Sequence, residues 1–195
     1  MGRTAPQPRD RRGAIANALY RCIREKGFAN TSLKDIADQA EMTPSHVAYY
    51  FENKASILEY YGAAICRRNT AEFPSLDEPD PDRLIDQIST FCMGEGQMSA
   101  GLLGVIQELT GLAVHDPNLH AIKAEHAVVW REYLEAFFER AQPVSGLSSR
   151  EAAHLAHAML IGLNTNTLFD RELDREMALQ LFRNVLETLT ADTTD

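Results

Sequence analysis

Apolar residues recur along this chain at spacings of three and four, in runs separated by proline and glycine, and no stretch alternates apolar and polar residues as a strand would. The first run predicts a helix from about Arg9 to Lys26 that buries Ile15, Leu19, Cys22 and Ile23, with Gly27 placed to end it. A second opens at Ser32, where Asp35 three residues on completes a capping box, and carries Leu33, Ile36, Ala37 and Ala40 on its apolar face. Met42 falls in a turn. Thr43, an N-cap, and Pro44, at a first helical position that needs no donor, then start a third helix whose apolar face holds Val47 and Phe51. A fourth begins after Asn53 and runs through Ile57, Leu58, Tyr61 and Ile65 to about Glu72.

A polar, proline-rich break from Pro74 to Asp82 follows, and beyond it lie five further segments of helical period: Pro81 to Glu95, Gln97 to Val114, Pro117 to Gln142, Ser148 to Phe169, and Arg171 to Thr190. An all-α protein of about nine helices is expected, with a helix-turn-helix module over residues 1–54 and a helical bundle over residues 55–195. Leu102 to Val114 is apolar nearly all round, which predicts a place in the middle of that bundle.

Two short helices joined by a tight turn, as read from Thr31 to Leu58, form the pattern of a DNA-reading helix-turn-helix. Its second helix would lead into the major groove with Thr43, Pro44, Ser45 and His46, and would present Ala48 and Tyr49 on its polar side. Ser32 joins a hydroxyl to free backbone N–H groups at a helix start, a natural phosphate site as well as a cap. Lys34 can reach a phosphate or a guanine edge, or stay a solvated lysine. Tyr50 is either partly packed or at a phosphate, and Lys54 reads as a phosphate anchor. Arg3, Arg9, Arg11 and Arg12 form a basic arm that could follow the backbone or enter the minor groove, or serve as a solubilising tail.

The register Gly27, Phe28, Thr31, Ser32, Leu33, Asp35, Ile36, Ala37, Ala40, Thr43, Val47, Tyr50, Phe51, Lys54 and Leu58 resembles the tetracycline-repressor (TetR) family of bacterial one-component regulators. That resemblance implies a homodimer whose first three helices bind DNA and whose C-terminal domain binds a small molecule that weakens DNA binding. The operator it implies is palindromic double-stranded DNA, and the regulator most often a repressor. Two positions depart from the family. Glu41 stands where glycine is usual in the turn, a place that often needs positive φ. Ala48 stands where tyrosine is common, leaving only a methyl group able to touch a thymine methyl.

Charge agrees with that division of labour. The net charge of −9 resolves into 9 Lys plus Arg against 6 Asp plus Glu up to Lys54, and 10 against 22 from Ala55 onward. A module of +3 on a body of −12 would orient the protein on DNA. With 195 residues, 45% of them apolar, a sizeable core is possible. No apolar run approaches the roughly 18 residues that span a bilayer. Met1 to Arg12 lacks the apolar centre of a signal peptide, so a cytoplasmic protein is expected. Cys22, Cys66 and Cys92 are too few and too scattered for a disulfide framework or a zinc cluster.

The effector side is less explicit. Phe91, Met98, Leu102, Ile106, Trp130, Tyr133 and Phe137 could line an apolar pocket or simply be core. Glu108 and Asn164 are polar groups in apolar surroundings, and Glu108 either pairs with a residue such as Arg131 or meets a donor or cation on a ligand. The expected effector is small and mostly apolar. Leu155, Met159 and Leu163, then Met177, Leu181, Phe182 and Val185, make two stripes that a monomer this size might leave bare, which points to a dimer interface. His154 and His157, with His115, His120 and His126 nearby, invite a metal or enzymatic reading of the middle of the chain, but two ligands three apart are weak and no nucleophile with an oriented base is present. No cofactor, metal or catalytic residue is expected. A helical enzyme using the His-rich centre is the alternative, and an interaction module the third reading.

Overall fold

A computed structural model of the chain describes residues 10–94 and 100–190. It holds, in order, α1 (Arg11–Lys26), α2 (Leu33–Gln39), α3 (Pro44–Tyr50), α4 (Lys54–Ala71), α5 (Pro81–Met93), α6 (Ala100–Ala113), α7 (Pro117–Ala141), α8 (Ser149–Asn166) and α9 (Arg175–Leu189). Among the described residues these nine helices are the whole regular structure, apart from an isolated bridge between Pro143 and Thr190. Each expected helix is present, and most ends shift by one to four residues. The starts are chemically marked: Asp10, Ser32, Thr43, Asp80, Asp116, Ser148 and Asp174 are N-caps whose side chains accept from backbone N–H groups of the first turn. Pro44, Pro81 and Pro117 each follow such a cap.

The chain divides into two compact units, Met1–Ile65 and Cys66–Asp195, and the division falls inside α4. The boundary drawn from sequence lies at the first turn of the same helix. In the first unit, Ile15, Leu19, Ile36, Ala37, Val47, Phe51, Ile57 and Leu58 are buried from four successive helices, so each short helix owes its stability to the shared core. Polar ties lock the arrangement. Lys26 Nζ lies 2.8 Å from Asp35 Oδ1, and Arg21 Nη2 donates to the Gln39 carbonyl at 3.0 Å, both joining α1 to α2.

In the second unit the core runs through α5, α7, α8 and α9, with Ile88, Met93, Leu134, Phe137, Phe138, Ala152, Phe182 and Leu186 at its centre. The prediction that Leu102 to Val114 forms the middle of the bundle is corrected here. Helix α6 packs on α7 and α8, while its Thr110, Gly111 and Val114 face solvent. Its hydropathy reflects two flanking contacts rather than full enclosure.

Candidate functional site

Helix α3 is fixed at its start by Thr43, whose Oγ1 accepts from the His46 amide at 3.2 Å, and at its end by the Phe51 amide, which donates to the Val47 carbonyl at 3.0 Å. Val47, buried in the first unit's core, sets the rotation of the helix. Lys34, Thr43, Pro44, Ser45, Ala48 and Tyr49 are therefore exposed, and Tyr49 is 81% exposed. His46 and Tyr50 are half-buried, their ring centroids 5.4 Å apart, and Tyr49 meets Tyr50 edge-on at 5.0 Å. Tyr50 is thus partly packed and serves as a backstop for the two rings beside it. The leading turn offers a hydroxyl, an imidazole and a phenol on one short convex surface, groups that can hydrogen-bond base edges or phosphates.

The turn before α3 answers the question raised by Glu41. Its φ of 55° is in the left-handed region, so this chain places a glutamate in the conformation for which glycine is usual. Gly27 closes α1 at φ 78°, and the next turn is held by Thr31, whose Oγ1 donates to the Gly27 carbonyl at 2.8 Å.

Two sequence-derived roles change. Ser32 caps α2, but its hydroxyl donates to Asp35 Oδ2 at 2.5 Å and its amide to the same carboxylate oxygen at 2.7 Å. The hydroxyl read as a phosphate contact is thus already engaged. Lys26 first, then Ser32, holds the Asp35 carboxyl well below the usual carboxylate range. Lys54 departs further. Its ammonium donates to the carbonyls of Phe28 at 2.7 Å, Thr31 at 2.8 Å and Ala29 at 3.3 Å, and sits 4.5 Å from the Phe28 ring centroid. A lysine has three N–H donors. All three carbonyl partners lie in the α1–α2 turn, so Lys54 serves as a structural pin there. Of the arginine arm, Arg3 and Arg9 lie outside the described residues. Arg11 and Arg12 belong to the first turn of α1, and Arg12 lies over the rings of Phe51 and Tyr60, 4.6 and 5.0 Å from their centroids.

In the second unit, three of the aromatic residues read as pocket or core pack together in one cluster. Phe91, Trp130 and Tyr133 surround Phe73, whose ring centroid is 5.7, 4.6 and 4.4 Å from theirs. Trp130 Nε1 donates to Asn69 Oδ1 at 3.1 Å, and the Tyr133 hydroxyl donates to the Pro74 carbonyl at 3.0 Å. His126 Nε2 lies 3.3 Å from the same Asn69 oxygen, and His157 stacks on Trp130 with centroids 6.4 Å apart. Burial, then Lys123 and His157, lowers the pKa of His126 to about 4. Burial, then Arg131 and His154, lowers that of His157 to about 4. Phe73, Asn69, Lys123 and His157 escaped the pocket expectation. The legible signal was the spacing Lys123, His126, Trp130, Tyr133, Phe137, which is one face of a helix.

Other expected pocket residues take different places. Phe137 is 1% exposed and packs at 4.9 Å on Phe138 in the main core. Asn164 is a strut: its Nδ2 donates to the Leu160 carbonyl at 3.1 Å and its Oδ1 accepts from Arg175 at 2.9 Å. Leu102 is buried on α6, Ile106 and Glu108 are half-buried there, and Met98 lies outside the described residues. Of the two apolar stripes, Leu155, Met159, Met177 and Leu181 are exposed; Ile161 is exposed too, about 160° around α8 from Met159. Leu163 and Phe182 are not part of them; at 7% and 0% exposure they face inward, and Val185 is half-buried. Phe182 follows Leu181 directly, so the helical turn of 100° per residue puts one outside and the other in the core.

Among the described residues no group of three or more His, Cys, Asp or Glu side chains could hold a metal, and no helix is long and apolar enough to cross a membrane.

Comparison with known proteins agrees in both halves. Residues 15–61 match the family described as bacterial regulatory proteins, tetR family, and residues 81–191 match the BetI-type transcriptional repressor C-terminal domain. The HTH-type transcriptional regulator BetI of Burkholderia thailandensis is 25% identical over 185 residues, covering 93% of this chain and 94% of that protein. A TetR transcription regulator from Haloarcula marismortui superposes with a TM-score of 0.81 at 18% identity, covering 93% of this chain and 99% of that one. A transcriptional regulator from Saccharomonospora viridis, solved in complex with choline, superposes with a TM-score of 0.79 at 16% identity, covering 92% and 97%. These are families of regulators, which removes the enzymatic reading of the histidines. With its helix-turn-helix and its BetI-type C-terminal domain both matched, the chain belongs to the tetR family of bacterial transcriptional regulators.

Proposed function

We propose that the protein is a repressor that binds a palindromic operator as a homodimer and leaves it when a small, mostly apolar molecule occupies its helical C-terminal unit. In this reading residues 1–54 form the reading module and residues 55–195 hold the effector and the dimer contact. The observation that carries it is the surface of α3, where Ser45, Ala48 and Tyr49 stand exposed around a helix start fixed by Thr43 and Pro44, although exposed tyrosine adds nothing to the fold. Lys34 and the half-buried His46 and Tyr50 flank that surface. The exposed row Leu155, Met159, Met177 and Leu181 supports the dimer, because contiguous apolar residues on α8 and α9 are stabilised by a like surface on a second copy.

The test is a DNA titration at several salt concentrations against the promoter regions adjoining the gene. A two-fold dimer places its reading helices about 34 to 36 Å apart, so protection should appear as two half-sites one turn of B-DNA apart. Log affinity should fall steeply and linearly with log salt, by about 0.9 per phosphate neutralised. Ser45→Ala and Tyr49→Ala should alter which half-site sequence is preferred. Salt-independent binding, or a monomer at micromolar concentration, would overturn the proposal.

A further inference from the structure

One charged group in the second unit stands out. Lys123 sits on α7, half-buried, one turn before His126 and two turns before Trp130. Among the described residues it makes no hydrogen bond or ion pair. What surrounds it does not compensate its charge. Cys66 from the end of α4 lies near it, and burial pushes that thiol up so that it stays neutral. His126 and His157 are its other neighbours, and Arg131 and His154 add positive potential from the side of His157. Glu125, on the same helix, is exposed and acts on Cys66. Burial lowers the pKa of Lys123, with Cys66 acting weakly in the opposite sense.

A half-buried ammonium with no counter-ion among the described residues is costly. It is a liability in the free protein that an anion would relieve. The same corner supplies the imidazole of His157 and an aromatic wall from Trp130, which stacks on His157 and joins Phe73, Phe91 and Tyr133, while the N–H of neutral His126 faces Asn69 Oδ1.

We infer that Lys123 and His157 form an anion-receiving subsite of the effector region, and that the effector is an organic carboxylate whose apolar body packs against Trp130. This rests on the reading of the protein as a ligand-released regulator and names the ligand's chemical class. It separates this chain from the choline-bound regulator of Saccharomonospora viridis, because the residues here repel a cation. The carboxylate accepts charge-assisted hydrogen bonds from Lys123 and from the His157 imidazole, contacts that are short and about twice as strong as neutral ones.

Trp130 is the chain's single tryptophan, so its fluorescence reports on the subsite directly. The experiment titrates the full chain with phenylacetate and, separately, with choline. Fluorescence is followed first, and then release of the operator found by footprinting. Phenylacetate should change Trp130 emission saturably and release DNA, and choline should do neither. Lys123→Met should raise the melting temperature of the free protein, because an uncompensated charge is removed, and should weaken phenylacetate at least about tenfold. Lys123→Gln, which keeps a polar group, should weaken it comparably. Saturable binding of choline without phenylacetate overturns the inference. So does unchanged phenylacetate affinity in both variants, or a lowered melting temperature in Lys123→Met, which would reveal a structural counter-ion. Failure of the unliganded wild-type chain to bind any operator would refute the repressor reading itself, a result distinct from each of these.

Discussion

Lys54→Met tests the structural pin. Methionine keeps the apolar stem over Phe28 but removes the ammonium, and with it the hydrogen bonds to the Phe28, Thr31 and Ala29 carbonyls. A hydrogen bond to a charged group contributes about 1.5 to 3 kcal/mol when measured singly. Three bonds from one ammonium are not additive, and the longest, at 3.3 Å, is weak. Water can replace part of what is lost at the exposed Ala29 carbonyl. The net loss should be about 2 to 3 kcal/mol, falling on the helix-turn-helix unit. With a urea dependence of about 1 to 1.5 kcal/mol per molar for a unit that small, its unfolding midpoint should drop by about 2 M. The assay is urea unfolding of the full chain followed by helical circular dichroism, with Trp130 fluorescence as a separate report on the second unit. Under conditions where the variant is folded, the salt slope of its DNA binding should equal that of the wild type. An unchanged midpoint with a slope flattened by about one unit would refute the reasoning, because it is the signature of a lost phosphate contact.

Glu41→Gly should stabilise the protein by about 0.5 to 1 kcal/mol, since relief of about 1 to 2 kcal/mol of left-handed strain exceeds the extra entropy glycine brings to the unfolded chain. Glu41→Ala, measured by the same urea unfolding, should not. Phe182→Ala should destabilise the fold by about 3 to 5 kcal/mol, whereas Leu181→Glu should leave monomer stability almost intact and convert dimer to monomer in analytical ultracentrifugation. Acid should weaken the second unit in a defined window. His126 and His157 have folded pKa values of about 4 against an ordinary 6.5, so the unfolded chain binds protons that the fold refuses. Stability is therefore unaffected above pH 6.5 and falls as pH drops from 6.5 to 4, by at most about 1.4 kcal/mol per pH unit for each histidine. Melting temperatures across that range, compared with His157→Phe, check the sign. The Asp35 contribution is fully present above its ordinary value of 3.8 and disappears only below it, so the two windows separate.

Helix existence and the helix-turn-helix were legible because their signals are local. A cap such as Thr43 with Pro44 acts within one turn, and Val47 and Phe51 must face the core whichever fold surrounds them. The role of Lys54 was not legible, because its partners are 23 to 26 residues away and a lysine's reach reveals nothing about which oxygen it finds. Phe137 and Phe182 were misplaced for another reason: apolar side chains at a pocket, an interface and a core are alike in sequence, and only the packed neighbours separate them. Glu41 shows the reverse case. The expected strain was visible from the residue type at its turn, and the positive φ is where that expectation pointed.

Helix α3 has seven residues, about half the length at which an isolated helix becomes even marginal in water. It exists because Thr43 caps it and because Val47 and Phe51 are buried, and neither anchor uses Ser45, Ala48 or Tyr49. In the proposed reading, stability and recognition are therefore carried by different residues of the same short helix. Substitutions on the outward side would then redirect the protein to another operator at almost no cost in folding, so lineages could drift to new targets one contact at a time. An engineer could retarget it the same way, exchanging three side chains and leaving the scaffold untouched.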